Sequence, residues 1–231
     1  MKHFLYLAVD LGALLIPFLF SFHPRILFYR HWRAFIIANA LTAIPFLLAD
    51  HYFTQIGVWG FNPDYVMGYY WGALPLEEWL FFFCIPYASV FTFHCLTLFI
   101  ASFPKDESYR KLLLFLSLGL SLTGFWFHEL WYTASTSIAC GFVLLFLLMF
   151  TKFRLVRFLL IYMVLLLPFF VCNGILTGTG LSAPVVWYNN AENLHWRVLT
   201  IPVEDFVYGF LLLLLNVFIY ERCLTPSTSK Q

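Results

Sequence analysis

Two short acidic motifs stand out in an otherwise apolar chain. Pro75-Leu76-Glu77-Glu78-Trp79-Leu80-Phe81 opens one long hydrophobic run, and Pro202-Val203-Glu204-Asp205-Phe206-Val207-Tyr208 opens another, 127 positions later. Their four carboxyls are a third of the 12 acidic residues among 231, so the acid is concentrated where water is scarce. A carboxylic acid in a low-dielectric setting keeps its proton near neutrality and can donate it, and a second acid beside it can share that proton. On a helix, Glu77 lies one turn before Phe81, and Glu204 one turn before Tyr208. An aromatic face stabilises a cation by about 2 kcal/mol when water is excluded. Acid and aromatic lining together suit proton-initiated carbocation chemistry on an apolar substrate. The plainer reading is helix starts, with Pro at the first position and acids against the dipole, worth about 0.3–1 kcal/mol each. Two copies heading matching runs favour function, as does the expense of carboxyls at membrane depth.

These motifs must be positioned by membrane helices. The sequence is 62% hydrophobic and only 11% charged, against about 25% in soluble domains. It therefore reads as an all-α, polytopic membrane helix bundle. At 1.5 Å per residue, a span of hydrocarbon needs about 20 apolar residues. About seven segments qualify: 3–22, 33–52, 76–101, 112–128, 130–150, 155–173 and 203–222. Their continuity excludes barrel strands, which alternate. Asp10 interrupts the first run and no small-residue cleavage site follows, so a retained span is expected rather than a signal peptide. A net charge of +1 without a basic tract argues against nucleic acid. The five cysteines show no ligand spacing, and His94, His128 and His195 form no His-Glu-x-x-His arrangement; no metal is expected.

Counting Lys and Arg on alternate sides puts eleven on one side (Arg25, Arg30, Arg33, Lys105, Arg110, Lys111, Lys152, Arg154, Arg157, Arg222 and Lys230) and two, Lys2 and Arg197, on the other. The positive-inside rule then places the N-terminus outside the cytoplasm, the C-terminus within it, and the motif acids on the non-cytoplasmic side.

The two longest loops, 53–75 and 174–202, lead into the motifs and carry Trp59 and Trp187, 128 positions apart; Phe83, Val90 and Phe91 recur as Phe210, Val217 and Phe218. Two parallel three-helix repeats are therefore expected, about 1–101 and 130–223, within one membrane domain. A connector helix over about 112–128 joins them. Both acidic pairs then share one depth and face each other across a pseudo-twofold axis.

The doubled Pro-x-Glu-acid motif, the Gly57-Val58-Trp59 and Val185-Val186-Trp187-Tyr188 loops and the parallel halves resemble the lycopene cyclase domain family, the integral-membrane type of carotenoid cyclase, in its fused form. The resemblance spans essentially the whole chain. It implies conversion of the linear ψ-ends of lycopene to β-ionone rings without redox change, with Glu77, Glu78, Glu204 and Asp205 as the catalytic acids. An acid protonates C2, a cation forms at C1, the neighbouring double bond closes the ring, and a base removes the C6 proton. Glu77 and Glu204 are expected to lead their pairs. Trp59, Phe81, Trp187, Tyr188, Tyr208, Asp10, Asp50 and Asn173 are the candidates for lining the polyene site; Asp10, Asp50 and Asn173 equally suit helix-to-helix bonds of about 1 kcal/mol. No cofactor is expected: there is no Gly-x-Gly-x-x-Gly run, and Gly178-Thr179-Gly180 follows no strand. The partners implied are the polyene, membrane lipid and other carotenoid enzymes, with the oligomeric state open. Competing readings are a cyclase or isomerase of another polyene end group, and a proton- or cation-coupled transporter, because paired acids near a twofold also describe ion sites. Topology is checked by reporter fusions: one after residue 105 should report cytoplasm and one after 190 the opposite side, and cytoplasmic signals from both would refute the orientation.

Overall fold

The computed structural model describes residues 2–224, so Lys230 lies outside the described residues. Seven α-helices form the bundle: α1 (Leu5–Phe20), α2 (Trp32–Ile56), α3 (Leu76–Phe99), α4 (Arg110–Trp126), α5 (Trp131–Phe150), α6 (Leu155–Leu176) and α7 (Val203–Cys223). Among the described residues six are long and apolar enough to cross a membrane; α4, at 17 residues, matches the expected 112–128 in length, begins two residues earlier, and is shorter than the other six spans. The protein is an all-α, multi-pass membrane bundle. Leu15, Ile16, Leu41, Leu48, Leu122 and Leu167 are exposed around the helices. That arrangement suits lipid, where the outward faces need not be polar. Pro17, Pro45, Pro86 and Pro168 all sit within helices, as the sequence indicates.

The packing is specific. Helix α1 lies along α3, α5 along α7, α2 along α7, and α4 forms a tight hairpin with α5. The α4–α5 contact depends on small residues. A Cβ on Gly141 would come within 2.7 Å of the Ser117 carbonyl oxygen, and one on Gly124 within 2.9 Å of the Ala134 carbonyl oxygen. Such close backbone approach is how membrane helices gain packing energy without a hydrophobic drive.

The loops before α3 and α7 fold alike. Strand β1 (Trp59–Phe61) pairs antiparallel with β4 (Val186–Tyr188), with Trp59 opposite Tyr188 and Gly60 opposite Trp187. With an offset of 128, these two pairs exchange with each other. Gly60 must lack a side chain, because the Trp187 indole lies directly over it, its Nε1 within 2.9 Å of where a Cβ would be. Each loop then makes a small hairpin, β2 (Tyr70–Trp71) with β3 (Leu74–Pro75), and β5 (Arg197–Val198) with β6 (Ile201–Pro202). Gly72 turns the first with φ +66° and Leu199 turns the second with φ +58°, a conformation that a leucine adopts only at a cost. Replacing Gly141 by leucine should force α4 off α5 and destabilise the protein by about 1–3 kcal/mol. A thermal melt in detergent measures this, and an unchanged melting temperature would refute the contact.

Candidate active site

Each motif begins at a strand-to-helix junction, which explains its composition. Pro75 and Pro202 close their hairpins with extended φ, ψ values and stand one residue before α3 and α7 rather than at the first helical position, so both acids fall in the first turn. Consecutive helical residues point about 100° apart, and the two acids of each pair take different roles.

The first acid faces its own loop. Glu77 accepts a 2.6 Å hydrogen bond from the Met67 N–H, and Glu204 a 2.8 Å bond from the Leu194 N–H, each donor ten residues upstream. Glu204 also accepts from the Thr133 hydroxyl at 2.6 Å. Neither residue lines the cavity described next. One oxygen of each, Oε2, is buried without a hydrogen-bond partner. These carboxyls clasp the hairpins against the helices.

The second acid faces inward. Glu78 and Asp205 both line a cavity of about 90 Å³ between the halves of the chain. Tyr6 on α1 donates to Glu78 at 2.6 Å, and Tyr132 on α5 donates to Asp205 at 2.6 Å. The two tyrosines are 126 positions apart, close to the motif offset. Beyond that shared frame the sides differ. Asp205 also accepts from the Asn173 amide at 2.7 Å and the Tyr188 hydroxyl at 2.9 Å. Glu78 instead shares its stretch of cavity lining with the Asp50 carboxyl, and Tyr208 on α7 donates to Asp50 at 2.6 Å. Glu78 is 6% exposed and Asp205 5%, so neither side draws on bulk water. Tyr188 sits in the loop; loss of solvent pushes its phenol well above its ordinary value, and the Asp205 charge adds to this, so it stays a hydrogen-bond donor.

Of the residues expected from sequence to line a polyene site, Trp59, Phe81, Tyr188, Tyr208, Asp50 and Asn173 do border the cavity. Trp187 does not: it is 43% exposed and lies over Gly60 on the outside of the ribbon. Asp10 is fully buried behind the wall, one turn along α1 from Tyr6, with both carboxyl oxygens unpartnered. Tyr6, Tyr132 and Thr133 were not among the expected residues. Their only sequence signal is a hydroxyl near the start of the first and fifth spans, too common a feature to single out. The remaining wall is apolar or aromatic, including Phe61, Ile85, Phe169, Leu212 and Leu213. Trp59 packs edge-on to Tyr132 at 5.0 Å, and Tyr132 stacks on Tyr188 at 5.9 Å.

Fold and site together define a multi-pass membrane protein with a small, aromatic-walled acid chamber. The lycopene cyclase profile matches residues 3–96 and 129–223, most of the chain in two segments that each contain one motif, and the protein belongs to that family. Its class is thus carotenoid cyclase, which implies a hydrophobic carotenoid substrate. No curated protein and no solved structure matches the chain.

The hydrogen-bond roles of the first acids make a structural prediction. Glu77→Ala and Glu204→Ala should each loosen the preceding loop, costing about 1–3 kcal/mol for a backbone N–H left without its acceptor. Limited proteolysis between 57 and 75 or between 177 and 202 should then accelerate; cleavage at the wild-type rate would show that the clasps are dispensable.

Proposed function

We propose that the chamber cyclises linear ψ-ends of lycopene to β-rings, with the Glu78–Asp50 pair as proton donor and Asp205 as base. The observation that carries this is the asymmetry of the two acid sites. Glu78 and Asp50 line one cavity that no described Lys, Arg or His borders, each with a single tyrosine donor, and two buried carboxyls so placed hold a proton between them. Asp205 instead faces three donors, an arrangement satisfied by a carboxylate. An acid and a base bordering one cavity are what a redox-neutral cyclisation requires.

In this reading the proton passes from the carboxyl pair to C2 of the terminal double bond, leaving a tertiary cation at C1. The neighbouring double bond attacks C1, and the new ring carries the charge to C5. Asp205 removes the C6 proton, leaving the ring double bond. One proton enters and one leaves, so no oxidant or reductant is consumed. The rings of Trp59, Tyr132, Tyr188 and Tyr208 border the volume where the cation would form and supply negative π faces. At about 90 Å³ the cavity is below the roughly 150 Å³ that admits benzene, so a six-membered ring enters only as its apolar walls yield.

The parallel arrangement of residues 1–101 and 130–223, with a connector near 112–128, is read as an internal duplication. Tyr6–Glu78 and Tyr132–Asp205 support this, as do the paired hairpins. The duplication would account for one chamber with two unequal acids: position 81 is Phe where 208 is Tyr, and Asp10 stands 126 positions before Thr136. Each difference adds acid or hydroxyl to the Glu78 side. Glu77 and Glu204 keep a positioning role, and Asp10 a supporting one behind Glu78.

Expression in a lycopene-accumulating bacterial host tests the reading. Red pigment should turn yellow-orange with cyclic product. Glu78→Gln and Asp205→Asn should each lower turnover by about 10²–10⁴-fold. Glu77→Gln keeps an acceptor for the Met67 N–H and should stay within about tenfold of wild type. Unchanged pigment from correctly inserted protein would sink the cyclase reading. Activity lost in Glu77→Gln but retained in Glu78→Gln would move the donor to the first acid.

A further inference from the structure

A second cavity lies at the far end of the bundle from the acids. Asp205 begins α7 and Glu221 sits near its end, about 24 Å away along a helix rising 1.5 Å per residue. At that end Glu221 pairs with Arg157, and Arg154 donates to the carbonyl oxygens of Phe103 at 3.0 Å and Pro104 at 3.4 Å. The cavity, about 560 Å³, opens where the start of α4, the end of α5 and the start of α6 converge.

Its lining is amphipathic in a particular way. Four cations border it: Lys105, Arg110, Lys152 and Arg154. Among the described residues the one ion pair is Arg157–Glu221, so none of these four is neutralised by a carboxylate. Two acids also border the cavity, but Asp106 is committed elsewhere. Its oxygens accept from the Leu155 N–H at 2.7 Å and the Val156 N–H at 3.3 Å, capping α6. That leaves Glu107 against four positive charges. Beneath them, buried Leu147 and Phe153 and half-buried Leu148 form an apolar floor. A soluble anion would use the cations and leave that floor unfilled. A molecule with an anionic phosphate joined to hydrocarbon would use both, and the surrounding bilayer supplies one.

We infer that this cavity is a binding site for an anionic phospholipid, its phosphate held by Lys105, Arg110 and Lys152 and an acyl chain laid on Leu147, Leu148 and Phe153. Arg154 holds the loop that forms the rim through its two carbonyl bonds and adds charge. The argument is independent of the cyclase chemistry at the other end. Basic pockets between membrane helices recognise head groups in this way, each Lys or Arg near the surface contributing about 1 kcal/mol.

The test is native mass spectrometry of the detergent-purified full chain with added phosphatidylglycerol, phosphatidylcholine or inorganic phosphate. One phosphatidylglycerol per chain should be retained, at least tenfold tighter than phosphatidylcholine. Arg110→Gln combined with Lys152→Gln should weaken it roughly 30-fold, the effect of removing two such charges. Both positions are exposed, so the fold should survive. If the double variant loses helical signal, Lys105→Gln alone, also exposed, should still weaken the lipid about fivefold. Equal retention of the two lipids, or unchanged affinity in folded variants, would overturn the site. Inorganic phosphate binding as tightly as phosphatidylglycerol would make it a soluble-phosphate site and overturn the lipid assignment.

Discussion

Buried carboxyls in a hydrocarbon-bound protein must find their partners within the protein, and that constraint shapes the end of the bundle where the loops fold. Each unpaired polar group at depth costs several kcal/mol in hydrocarbon, so Glu77, Glu78, Glu204 and Asp205 dictate what surrounds them. The hairpins supply backbone N–H groups to Glu77 and Glu204, and the starts of α1 and α5 supply tyrosines to Glu78 and Asp205. Helix order, loop length and strand pairing at that end all serve these bonds. The β1–β4 ribbon ties the two loops together over the chamber.

The same constraint separates acids turned to their own loops from acids turned to the cavity. A carboxyl bonded to a backbone N–H of its own loop is held in place by covalent neighbours and is poorly placed to meet a substrate. One that meets side chains from other helices across a cavity is available to a molecule entering that cavity. Tyr208 and Asp50, 158 positions apart, join the two halves through such a bond. The surroundings of Glu78 and Asp205 are unequal: one accepts from Tyr6 and lines the cavity together with the Asp50 carboxyl, and the other accepts from three donors.

Much of the fold is legible in the sequence. Hydropathy run length gives the helices because a bilayer demands it, and the doubled motif locates the two loops and the two acid pairs. The fourth segment shows what run length leaves open: a 17-residue run folds as a 17-residue helix, but its tight pairing with α5 is not written in its hydropathy. Trp187 shows the limit of matching by offset. It corresponds to Trp59, yet one indole is buried at the chamber and the other covers Gly60 from outside. Side chains alternate along the ribbon, and Trp187 lies one residue beyond the 127 offset of the motifs, so its indole falls on the opposite face from that of Trp59.

The sequence by itself determines that this chain is a helical membrane protein, that its scarce acids are paired at two helix starts, and which family its motifs resemble. Those features are local: composition, run length and spacing along one strand of chain. Which acid of each pair meets the chamber, and which residues hold it there, only the tertiary structure decides. Neighbouring acids on a helix are equivalent in the sequence and about 100° apart in space. The groups that distinguish them, Tyr6, Asp50, Tyr132, Asn173 and Tyr208, arrive from other helices with no mark in the sequence that they would meet.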